Sequence, residues 1–171
     1  QWLEWRAVCA QGRVMKPRSL RTDHVVFPAF DVRASLHFYT KVLHFPLVSA
    51  LSGDDWGGKP WLMMLFGIGD GRQVVLVALR GARPPAADGF PADARHYAFG
   101  AADRKALSAW KRRLRKHAVK FVEEDHGDQQ SIYFQDPNGV MLEITAPPTR
   151  AASSSDPEAR YIVDEWLQRF S

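Results

Sequence analysis

The stretch "TDHVVFPAFDVRASLHFYTKVLHFPLVSAL", residues 22–51, decides the fold, because it recurs. "TDHVVF" reads as a strand. Asp31 is placed to cap a helix over "VRASLHFYTKVL", and "FPLVSAL" reads as a second strand. Shifted by 72 residues, the chain repeats the plan. "ARHYAF" reads as a strand, Asp103 caps "RKALSAWKRRLRKH", and "VKFVEE" follows as a strand. The alignment needs no gap. His24 pairs with His96, Asp31 with Asp103, Ala34 with Ala106, Phe38 with Trp110, Val42 with Leu114 and Leu47 with Val119. The shared apolar positions within the helices fall four residues apart, on one helix face.

Each half continues with two more strands around a turn. "WLMMLF" and "RQVVLVAL" flank "GIGDG"; "SIYF" and "VMLEIT" flank "QDPNG". Gly and Asn-Gly suit such turns because they accept positive φ at little cost. The order is β-α-β-β-β twice, an α+β chain. The Pro-rich "RGARPPAADGFPADA" resists helix and strand and joins the halves. The predicted organisation is an N-terminal extension over 1–20, a domain over 21–147 with modules 21–80 and 94–147, and a linker with an amphipathic helix over 148–171. In that tail Ile162, Trp166 and Phe170 fall at helical spacing. Met15 is a candidate start, which would make 1–14 an extension, and the first twenty residues do not read as a signal peptide.

The chain has 171 residues, 23 Lys and Arg against 19 Asp and Glu, and 46% hydrophobic residues. These are ordinary values for one globular domain. The basic run at 104–120 reads as a solvated helix face, and no recognition motif supports nucleic acid. No apolar run approaches the roughly 18–20 residues of a membrane span. A single cysteine, Cys9, permits no intrachain disulfide, which fits a reducing, cytoplasmic setting.

His96 alone is a strand histidine, and most of those do no chemistry. Its register with His24 changes the reading, and Glu143 adds to it. Glu143 stands between Leu142 and Ile144 in "GVMLEIT", where an acid is costly to bury unless paired. A salt bridge to a buried Arg is one explanation. A divalent ion is the other: two histidines and one carboxylate form the facial set of non-haem iron and also serve catalytic zinc. In the first half Val75 takes the place of Glu143 relative to its turn glycine, so three protein ligands are expected rather than four. Gln73 is nearby.

The pattern "DHVVFPAFDVRASLHFYTKVLHFPLV", then "RHYAF", then "SIYFQDPNGVMLEIT", over about residues 20–147, resembles the vicinal oxygen chelate superfamily of glyoxalase I, extradiol dioxygenases, fosfomycin-resistance thiol transferases and bleomycin-resistance proteins. The resemblance implies two βαβββ modules forming a curved eight-stranded sheet around a metal-binding cavity. It implies His24, His96 and Glu143 as ligands of one divalent ion, Fe(II) or Mn(II) ahead of Zn(II) or Ni(II). The ion would chelate a small oxygenated substrate through neighbouring oxygens.

Within the superfamily the residues point several ways. Tyr133 lies ten residues before Glu143, where ring-cleaving dioxygenases carry a tyrosine that handles the bound diol. It is equally an aromatic of the wall. His126 sits on a loop, as an acid–base group or a solvated histidine. The far-side histidine of those dioxygenases has no counterpart on 72–79. Ser131 with Tyr133 matches the thiol-transferase pattern, whereas Val26 stands where that group has threonine. Trp56, Trp61 and Phe66 are candidates to sandwich an aromatic substrate, or packing residues. His37, His44 and His117 read as surface residues. The expectation is a metal-dependent enzyme leaning to oxidative cleavage of a catechol-like compound, with a thiol transferase or lyase next. A metal-free protein that sequesters a small molecule is the rival class. A homodimer is expected, with the tail helix at its interface.

Overall fold

Both predicted caps form. In a computed structural model that describes residues 22–91, 94–149 and 157–170, the Asp31 and Asp103 carboxylates accept from the N–H groups of Ala34 and Ala106, at 2.9 and 2.7 Å. Each aspartate thereby satisfies one of the orphan donors that open a helix. The extension over 1–20 lies outside the described residues.

The first module runs β1 (His24–Pro28), α1 (Val32–His37), a π-helical turn (Phe38–Val42), β2 (Leu47–Gly53), β3 (Trp61–Gly67) and β4 (Gln73–Leu79). The second runs β5 (His96–Gly100), α2 (Arg104–Lys116), β6 (Val122–Asp125), β7 (Gln130–Gln135) and β8 (Met141–Ala146), and α3 (Pro157–Phe170) follows. The eight expected strands are present, hydrogen-bonded as two sheets of four, in the orders β1-β4-β3-β2 and β5-β8-β7-β6. In each, the first strand pairs in parallel with the last. The helix after the first strand supplies the crossover that a parallel pair needs.

One core serves both modules. Phe38, Tyr39, Met64, Phe66, Val74 and Leu76 join Leu107, Leu114, Ile132, Phe134, Leu142 and Ile144 in a single buried cluster. Aromatic pairs cross between modules, Phe27 with Tyr97 at 5.9 Å and Phe45 with Phe99 at 5.5 Å between ring centroids. Phe66, a candidate for substrate contact, belongs instead to this core: it is fully buried and stacked on Tyr39.

The "QDPNG" turn does more than reverse the chain. Asn138 Oδ1 accepts from Phe30 N–H at 2.8 Å, and its Nδ2 donates to Ser35 Oγ at 2.9 Å. The Tyr39 hydroxyl donates to Asp136 at 3.2 Å, and burial followed by the Asp136 charge pushes that phenol far up, keeping it a donor. Buried polar groups of both modules thus satisfy one another.

Two expectations are corrected. Arg113, read as part of a solvated face, turns inward and donates to the carbonyls of Lys41 and Val42. Lys41 and Val42 end the helical segment, where carbonyls lack intrahelical donors, and a guanidinium fork satisfies two at once. The pairing of Leu47 with Val119 also slips. The left-handed residues that end the two helices are His44 and Ala118, which lie 74 apart rather than 72. The second helix is two residues longer, so Phe45 takes the packed position and Leu47 is left exposed.

Candidate active site

Strand alternation sends Leu142 and Ile144 into the core and Glu143 to the opposite, open face of the second sheet. β8 is a central strand, and Glu143 is only 7% exposed. Its Oε1 accepts from Ser131 Oγ at 2.5 Å, and its Oε2 lies 3.0 Å from His96 Nε2. Tyr133, directly opposite Glu143 on β7, meets the His96 ring edge-on at 5.4 Å. Burial raises the Tyr133 phenol first, and the Glu143 charge raises it further. The Tyr133 hydroxyl lies 3.4 Å from His126 Nε2, which is 3.7 Å from Glu124. Four of the predicted residues, His96, Glu143, Ser131 and Tyr133, therefore stand together, and His126 joins them at the exposed end.

The buried-Arg explanation for Glu143 gives way to a histidine partner. His96 also lines a cleft of about 760 Å³ whose far wall is the Pro-rich connection, with Pro84, Pro85 and Phe90.

His24 occupies the matching place on β1, at the open face of the first sheet, and its Nδ1 lies 2.7 Å from Asp23. It does not join the His96–Glu143 pair. Among the described residues no three His, Cys, Asp or Glu side chains form a group that could hold a metal ion. The donor set fits a metal in part: an imidazole and a buried carboxylate converge, and a third ligand has to come from elsewhere. Trp56 and Trp61 lie on the first module, packed edge-to-face at 5.6 Å, and the Trp61 ring covers Gly53.

The sheet registers show where the modules diverge. Val26 pairs with Val75 as Ala98 pairs with Glu143, so Val75 is the counterpart of Glu143. By the same pairing, Leu65 answers Tyr133, Met63 answers Ser131, Val77 answers Thr145 and Leu51 answers Glu124. At these five positions the open face is polar in the second sheet and apolar in the first, whereas Gln73 and Ser49 on the first face and Met141 and Val122 on the second run the other way. The sequence reading had found the Val75 position and missed the rest, although the alternation in "WLMMLF" against "SIYF" carries the signal.

A family model of the glyoxalase/bleomycin resistance protein/dioxygenase superfamily matches residues 21–144. The chain belongs to this superfamily. Solved structures share the fold. A glyoxylase/bleomycin resistance protein/dioxygenase domain from Frankia sp. superposes with a TM-score of 0.64 at 19% identity, covering 77% of this chain and all of that one. A lactoylglutathione lyase from Agrobacterium tumefaciens gives 0.55 at 21% identity, over 76% of this chain and 95% of its own. The fosfomycin resistance protein FosX of Listeria monocytogenes, complexed with Mn(II) and a dihydroxypropylphosphonic acid, gives 0.54 at 16% identity, over 84% and 99%. No curated protein matches. No described helix is long and apolar enough to cross a membrane.

Proposed function

We propose that this chain is a metal-dependent enzyme acting on a small oxygenated substrate, with one divalent ion held by His96 and Glu143 of one copy and His24 of a second copy in a homodimer. The observation that carries the reading is the meeting of His96 with a buried acid at 3.0 Å, while its repeat partner His24 stands exposed on an edge strand of the other sheet. Two histidines and a carboxylate accept Fe(II), Mn(II), Zn(II) or Ni(II), and Fe(II) or Mn(II) is the choice that goes with oxidative cleavage. Such an ion supplies Lewis acidity to neighbouring substrate oxygens. Exposed Tyr161, Ile162, Trp166 and Phe170 on α3 add apolar surface of the kind that a second copy covers.

The chain's own residues divide the remaining work. Ser131 fixes the orientation of Glu143 by its hydrogen bond. Tyr133, beside His96, positions a substrate hydroxyl, and exposed His126 exchanges protons between that hydroxyl and solvent. This arrangement suits oxidative cleavage of a catechol-like diol ahead of thiol transfer.

One observation favours a second reading. His96 already satisfies Glu143 without an ion, as in a metal-free cleft that sequesters a ligand. The test is bound metal measured by mass spectrometry on purified protein. His24→Ala, His96→Ala and Glu143→Ala each lower it to background. Mixed dimers of His24→Ala and His96→Ala chains regain half the sites. Retention of metal by His24→Ala breaks the three-ligand assignment. A ligand-induced rise in Tm that is indifferent to chelator supports the metal-free protein.

A further inference from the structure

Although the chain has 23 Lys and Arg, none of the eight described strands contains either. The cations sit on helices and loops. Near the clefts Arg72 pairs with Asp70 and Arg95 with Asp88; Arg95 also lines the His96 cleft, and Arg115 and Lys120 line the one beside Tyr133. The ionisable groups on the two open faces are His24, His96, Glu143 and Glu124, with Tyr133. The faces of the sheets thus carry carboxylates and imidazoles, and the guanidinium and ammonium groups stand at their margins.

The first sheet adds a complementary constraint. Val26 and Leu51 are each 53% exposed on its open face, and Met63, Leu65 and Val77 are half-buried beside them. None of these five belongs to the core cluster. His24 lies on this same apolar face. The proposed joining of His24 with His96 and Glu143 therefore sets an apolar wall opposite the polar one.

On that reading of the site, we propose that the substrate carries an apolar body beside its oxygenated head, the body lying on Val26, Leu51, Met63, Leu65 and Val77. A wholly polar substrate leaves the apolar wall wet. Specificity then rests with the first module and chemistry with the second.

The experiment measures binding by isothermal titration calorimetry to the full chain, metal-loaded and chelator-treated, with tert-butylcatechol, protocatechuate and glutathione as probes. The first probe binds at least about tenfold more tightly than the other two, as expected for burying a butyl group on an apolar wall. The preference persists without metal, because it comes from the wall. Leu65→Gln weakens tert-butylcatechol about tenfold and leaves metal content alone. Met63→Gln does the same and serves if the first variant fails to fold. Leu65→Arg moves the preference toward protocatechuate. Equal or tighter binding of protocatechuate or glutathione to the unaltered chain overturns the proposal. So does a Leu65→Gln variant that dissociates the dimer without altering probe affinity, since the face would then serve only a second copy. Loss of the metal assignment with the probe preference intact sinks the proposed metal enzyme and leaves this inference standing.

Discussion

The two modules share a backbone plan and oppose each other in chemistry. Each has a capped helix, a parallel outer pair of strands and a histidine at the start of its edge strand. Toward the core both sheets present the same kind of side chain, Val74, Leu76 and Phe66 in one and Leu142, Ile144 and Phe134 in the other. On the open faces, Val75, Leu65, Met63, Val77 and Leu51 stand against Glu143, Tyr133, Ser131, Thr145 and Glu124. Strand alternation separates the two tasks. One face must stay apolar to fold, and the other is at liberty to become either a wall or a reactive centre.

The largest expected effect comes from erasing this contrast in the wrong place. Val75→Glu puts the second module's acid into the first, at a position 4% exposed, beside Val26 and Leu65 rather than histidine and serine. Urea unfolding is expected to show a loss of about 3–5 kcal/mol, the cost of an unpaired buried charge. A variant as stable as the wild type would mean that the two open faces are equally able to hold an acid.

A middle-sized effect separates the two turns. Asn138 of the second module reaches across to Phe30 and Ser35 of the first, whereas Asp70 in the "GIGDG" turn bonds its own neighbour Arg72. Asn138→Ala is expected to cost about 1–3 kcal/mol in the same assay, because a part-buried N–H loses its acceptor. Asp70→Ala should change stability by less than about 0.5 kcal/mol. Equal losses would remove the asymmetry between the turns.

The smallest effect tests what the modules share. Asp31→Ala and Asp103→Ala should each cost about 1 kcal/mol, the ordinary value of a helix N-cap. A large difference between them would mean that one helix depends on its cap and the other on its packing.

Much of this was legible in the residues. The 72-residue repeat carried both caps, and counting from the turn glycines Gly71 and Gly139 carried the equivalence of Val75 with Glu143. Each is a local matter: hydrophobic period, cap chemistry and turn composition act over a few residues and leave their mark in the string. The inward turn of Arg113 was not legible, because its partners Lys41 and Val42, at the end of another helical segment, are 72 and 71 residues away. The Tyr39–Asp136 bond, spanning 97 residues, was hidden for the same reason.

The candidate site divides along that line. The string alone determined which side chains are chemically suited to it, since an acid between Leu142 and Ile144 with histidines in register is a pattern of residue types. Tertiary structure decided which of them meet. It brought Glu143 to His96 and Ser131 through the pairing of β8 with β5 and β7, and it kept His24 on a separate sheet. Convergence of distant groups depends on how strands pair and how two modules pack, and those are settled by the burial of a shared core rather than by local spacing.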